Sequence, residues 1–176
     1  MKPEKINVKN ILYTTDLSDT SLYAFSYAAG LANFYNAAIT VLHVMGEFEY
    51  DHVKHELAGL LGPDQWRSIQ ERHVNETRET LSGKNRDNVI VRETLIQYTE
   101  NVKSDKNVQA FDTDEILVLF GHPVDKVILE TAKKRKSDII VMGMHGHGLL
   151  KELIGSTVQK VMRKSGVPVF AVPLKR

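Results

Sequence analysis

Short apolar runs alternate with segments of helical period along this chain, and that alternation restricts the possible fold more than any other feature. Asn10 to Asp16 is apolar and β-branched at its centre and ends abruptly in polar residues, as a strand buried on both faces does. Directly after it the period changes. Leu22, Phe25, Ala29, Ala32 and Phe34 or Tyr35 recur every three or four residues behind Ser18 or Asp19, either of which can cap a helix, so a helix over 19–35 is predicted. Ala38 to Val44 is then a second strand. Strand, helix and strand in immediate succession form a βαβ unit, whose right-handed crossover makes the two strands parallel.

The same grammar continues. From Tyr50 to Leu81, Glu, Arg, His and Gln with scattered apolar residues predict a solvated helical layer, broken at Gly62-Pro63. Asn88 to Leu95 reads as a third strand, and the polar, turn-prone stretch 97–114 as an insertion forming a surface loop or hairpin. Ile116 to Phe120 resumes the strand pattern. Gly121-His122-Pro123 punctuates it, and Val124, Val127, Ile128 and Ala132 mark a further helix. Ser137 to Met142 is a strand that enters a glycine-rich loop; Val158, Val161 and Met162 mark a last helix, and Val167 to Val172 a last strand. The class that follows is α/β, a parallel sheet covered by helices on both faces, in one domain over 1–176.

Charge and composition narrow the function. Lys and Arg number 23 against 22 Asp and Glu, a net charge of +1, so the chain lacks the basic excess that displaces counterions from DNA or RNA, and nucleic acid is not an expected partner. Cysteine is absent, which excludes disulfides, thiolate metal sites and cysteine nucleophiles and suits a reducing compartment. No apolar run approaches the roughly 20 residues that span a bilayer, and no export signal is visible at the N-terminus. A cytoplasmic protein without a membrane span is expected.

Ligands of open parallel sheets bind at the carboxyl ends of the strands, where strand order reverses. Two features fall at such ends. Asp16, with Thr14 and Thr15 before it, offers a carboxylate to an adenine amino group or ribose hydroxyls, or else caps the helix that follows. The run Gly143-Met144-His145-Gly146-His147-Gly148, closed by Gly155-Ser156-Thr157, lets backbone N–H groups approach an anion at the start of a helix. It is neither a Walker A loop nor a dinucleotide fingerprint. His145 and His147 form a pair without a third ligand, so no metal site is assigned. Ser156 lacks a nucleophile elbow, so no catalytic residue is assigned either.

Asn10 to Asp16, the strand closing His43-Val44, Gly121-His122-Pro123 before a helix, and Asp138 to Gly143 entering the glycine loop together resemble the universal stress protein family. The resemblance implies a five-stranded sheet of order 3-2-1-4-5, Rossmann-like and of the adenine nucleotide α-hydrolase type. It also implies dimers, with ATP or AMP held between the first strand and the glycine loop. Its G-x2-G-x9-G-(S/T) signature falls on Gly143, Gly146 and Gly155-Ser156, although only eight residues, His147 to Ile154, separate the two halves here. Carried over, the resemblance places Thr14, Thr15 and Asp16 at the nucleoside, the Val44 backbone and Met142 along the adenine, and Gly143, Gly146, His147, Gly155, Ser156 and Thr157 around the phosphates. Any Mg²⁺ would be carried in by ATP.

Three functions compete on these grounds. An adenine-nucleotide-binding regulator of the stress response, acting as a dimer through Val167 to Val172, leads. An ATP-hydrolysing enzyme of the α-hydrolase group would need activating residues that cannot be assigned, so any hydrolysis is expected to be slow. A dimeric interaction module without nucleotide follows if the shortened loop closes the phosphate site.

Overall fold

Five strands form one parallel sheet in the order β3-β2-β1-β4-β5. The computed structural model describes residues 6–46, 57–76, 83–105, 111–144 and 154–173. In chain order the elements are β1 (Asn10–Thr15), α1 (Asp19–Tyr35), β2 (Ala38–Met45), α2 (Pro63–Glu76), α3 (Gly83–Ser104), β3 (Asp112–Phe120), α4 (Val124–Lys134), β4 (Ile139–Gly143), α5 (Ser156–Lys164) and β5 (Val169–Val172). Among the described residues no helix is long and apolar enough to cross a membrane.

Alternation along the strands feeds two cores. Ile11, Tyr13, Ile39, Val41, Met45, Ile116, Val118 and Val141 pack under α1, α2 and α3 with Phe25, Trp66, Val91 and Leu95. Leu12, Leu42, Val44, Ile140 and Met142 face the other way, against Ile128 and Ala132 of α4 and Val158 and Val161 of α5. Strands buried on both faces explain why the sequence shows unbroken apolar runs rather than a polar alternation. Between the helices of the first face, Gly62 takes φ +77° and Pro63 opens α2, so the break expected at Gly62-Pro63 is where the chain turns. Of the residues that mark the last helix, Val158 and Val161 are buried and Met162 is exposed.

The expected third strand over Asn88–Leu95 is helical, lying within α3. The stretch 97–114 is correspondingly not an inserted loop or hairpin. Its first half completes α3, residues 112–114 begin β3, and 106–110 lie outside the described residues. The apolar side chains decide this. Val91, Leu95, Tyr98 and Val102 recur at three- and four-residue intervals and, with Ile90 beside them, meet the core together only on a helix.

α4 and α5 are joined across the second face by Lys164 Nζ, 2.7 Å from Asp125 Oδ2. Asp125 is buried, 3% exposed, and the hydrogen bond from Lys164 holds its carboxyl below the ordinary value even though burial opposes this. A depressed pKa in the folded state contributes stability above the unfolded carboxylate value, near 3.9, and that contribution disappears as pH falls through the folded value. Asp125→Asn should therefore flatten the loss of stability seen in urea melts below about pH 5. An acid limb as steep as that of the unchanged chain would contradict this role.

Candidate functional site

Strand order reverses between β1 and β4, so the chain segments that leave these two strands start side by side at the end of the sheet where open parallel sheets hold ligands in a crevice. β1 pairs with β4 as far as Thr14 opposite Met142. Two residues beyond Thr14 is Asp16. Two residues beyond Met142 is Met144, whose N–H donates to Val172 O at 2.7 Å and whose carbonyl accepts from Gly155 N at 2.9 Å. That last bond ties Gly155 to the end of the sheet, so α5 begins beside the point where β4 stops. Residues 145–153, including Gly146, His147 and the neighbouring His145, lie outside the described residues.

The turn from β1 into α1 is fixed by a chain of hydrogen bonds. The Ser21 hydroxyl donates to Ser18 O at 2.9 Å, so the Thr15 hydroxyl, 2.9 Å from Ser21 Oγ, is the donor in that pair and accepts in turn from Leu17 N at 2.9 Å. Asp16 Oδ1 accepts from Ser18 N at 3.1 Å and from Ser18 Oγ at 2.6 Å, and Ser18 Oγ accepts from Ser21 N at 3.3 Å. Ser18 is thus the helix cap. Asp16 does not cap α1; its carboxylate orients the residue that does. The Tyr13 hydroxyl donates to Ser21 O at 2.7 Å, and complete burial pushes this phenol far above its ordinary pKa, so the proton stays in place.

These bonds hold Leu17 at φ +67°, a backbone region that branched side chains rarely adopt. The sequence signal for this turn was an aspartate two residues before a serine, a pattern that favours side-chain to backbone bonding over helix continuation. His43, at the end of β2 and 3% exposed, joins the same network through Nδ1, 2.9 Å from Thr15 O. From the sequence it shows only as part of a strand end.

The other candidates divide by what surrounds them. Thr14 and Thr15 are buried, and the Thr15 hydroxyl is engaged inside the turn. Val44 and Met142 belong to the core under α4 and α5. At Gly143 an added Cβ would lie 2.8 Å from Ser21 N and 3.0 Å from Ser21 Cα, so the absence of a side chain lets the end of β4 press against the first turn of α1. Gly155 is the N-cap residue of α5 and has no side chain with which to cap it, Ser156 is exposed and Thr157 is half-buried. First-turn N–H groups without a side-chain acceptor, at the positive end of a helix dipole, suit an anion. Among the described residues no group of three or more His, Asp or Glu side chains could hold a metal ion.

The sequence model of the universal stress protein family matches residues 7–173. Universal stress protein MJ0577 of Methanocaldococcus jannaschii is 31% identical over 169 residues, covering 95% of this chain and 96% of that protein. Among solved structures, the universal stress protein UspA from Lactobacillus plantarum superposes with a TM-score of 0.62 at 18% identity, covering 96% of this chain and 99% of that one. The universal stress protein from Archaeoglobus fulgidus in complex with dAMP gives 0.55 at 17% identity, with the same coverage of 96% and 99%. Likeness at these identities shows the shared fold.

The Gly143 contact yields a direct test. Gly143→Ala should cost about 1–3 kcal/mol in urea unfolding, because its methyl meets backbone of α1 rather than a movable side chain. An unchanged midpoint would show that β4 and α1 do not approach this closely.

Proposed function

Because the chain belongs to the universal stress protein family, we propose that it binds an adenine nucleotide, ATP or AMP, in the crevice between the β1–α1 turn and the start of α5. The observation that supports this reading is the N-terminus of α5, whose N-cap residue Gly155 has no side chain to cap it and is bonded to Met144 at the end of β4, beside the reversal of strand order. Of the two helices that begin at this crevice, α1 is capped by Ser18 whereas α5 has donors to give. The dAMP bound by the Archaeoglobus fulgidus relative supports a nucleotide of this class.

In this reading the phosphates lie against the backbone of Gly143, Gly146, His147, Gly155, Ser156 and Thr157. Asp16 faces ribose or adenine, and the Val44 backbone and Met142 line the base. Thr15 contributes through the turn that its hydroxyl holds. Any Mg²⁺ arrives with the phosphates of ATP. Hydrolysis is slow or absent, and nucleotide occupancy changes the affinity for a partner in a stress response.

The protein works as a homodimer in the same reading. The two sheet edges differ. β3 carries Asp112, Asp114 and Glu115, charges that discourage pairing with another strand, whereas β5 has no charged residue. Tyr27 of α1 and Phe170 of β5 stack with ring centroids 5.8 Å apart and remain 41% and 39% exposed, an aromatic patch that continues the apolar edge. Pro168 and Pro173 confine any ladder between two copies to the residues between them, so side-chain burial about a two-fold axis supplies most of the affinity.

Titration calorimetry with ATP and AMP tests the binding. Both the wild-type chain and its melting temperature serve as references for Gly146→Val, which should lose binding while melting normally; wild-type affinity in that variant would overturn the phosphate site. For the assembly, light scattering at micromolar concentration should give a dimer mass that falls to the monomer in Phe170→Lys. A wild-type monomer, or a dimer that survives the substitution, would remove this interface.

A further inference from the structure

His43 stands at the last rung of the β1–β2 ladder, opposite Thr15 in the parallel register. The β1–β4 register ends one residue earlier, at Thr14. Thr15 is therefore the residue at which the chain leaves the sheet, and its carbonyl, which can only accept, lies 2.9 Å from His43 Nδ1. The proton of the imidazole is consequently on Nδ1. On its other side the same residue supplies the hydroxyl that receives Leu17 N and reaches Ser21 Oγ. Rotation of the Thr15 peptide would break the His43 bond and displace Asp16 and, after it, Leu17, whose φ of +67° is unfavourable for a bulky residue.

We propose that His43 is a positioning residue for the nucleotide site: by donating from Nδ1 to Thr15 O it locks the β1–α1 turn in the conformation that aims the Asp16 carboxylate into the crevice. The part of this that concerns ligand affinity rests on the nucleotide reading above; the part that concerns the turn does not. A left-handed, bulky residue persists only when its surroundings over-determine it, and His43 is the tie that comes from a neighbouring strand rather than from the turn itself. Burial gives the bond its strength, because water does not compete at a side chain with 3% exposure.

Three measurements on the full chain decide the matter. Imidazole ¹⁵N shifts of the wild type should show the Nδ1–H tautomer for His43, and the Nε2–H tautomer would overturn the proposal without any variant being made. In the nucleotide-free protein His43→Leu should speed amide exchange at Leu17, while His43→Asn, which keeps a side-chain N–H near the Nδ1 position, should restore protection. Unchanged exchange in His43→Leu would overturn the proposal. By calorimetry, AMP should bind His43→Leu about tenfold more weakly than wild type, as expected for one buried hydrogen bond, with His43→Asn recovering most of the loss. Equal affinity of wild type and His43→Leu would refute the positioning role. Absence of binding to the wild type would instead refute the nucleotide reading and leave the tautomer and exchange results to judge the turn.

Discussion

The close passage of β4 past the first turn of α1 sets the geometry on which the rest depends. Gly143 permits it, because any side chain there would collide with the Ser21 backbone. Ser21 in turn is held through all three of its polar groups. Its carbonyl receives the Tyr13 hydroxyl, its N–H goes to Ser18 Oγ and its hydroxyl bridges Thr15 and Ser18. Strand ends, helix start and the turn between them are thereby one unit. The crevice between β1 and β4 has a rigid wall on one side and, on the other, the start of α5 attached by the Met144–Gly155 bond. A functional site built on such elements keeps its geometry at a small cost in backbone strain at Leu17.

Much of this was legible in the residues. The boundaries of α1 follow from its apolar period and its serine cap, and both βαβ crossovers of the second core follow from apolar runs separated by helix-period segments. The misreading of α3 has a definite cause. Val89, Ile90, Val91 and Thr94 are β-branched and imitate a strand when taken alone, and the polar appearance of 97–104 conceals the period that continues through Tyr98 and Val102. Thr94, in the apparent strand, and Thr99, in the apparent loop, are both buried and return their hydroxyls to carbonyls four residues back, Ile90 O at 2.9 Å and Leu95 O at 2.8 Å. Gln97 and Asn101 pair along the solvent side at the same helical spacing. Tertiary burial outweighed local propensity here, which is common for half-buried helices.

The positions of the candidate residues in the fold were legible, and the contacts they make less so. Gly143 and Gly155 stand at the end of β4 and the start of α5 for different reasons: the first admits a helix and the second offers no side chain to cap one. Asp16 was readable as a carboxylate at a strand end. That it orients the cap, rather than serving as one, depends on the rotation of the chain at Leu17, which no periodicity reveals. His43 was hidden for a simpler reason. A histidine inside an apolar strand looks like a filled core position until the register places it opposite Thr15.

In the proposed function one ligand joins the β1–α1 turn to the start of α5. Titration of the isotopically labelled protein with AMP, followed through backbone amide shifts, tests this most directly. Amides at 16–18 and at 155–157 should move together along a single saturation curve. Shifts confined to one of these segments, or perturbations that avoid both while AMP binds elsewhere, would contradict it.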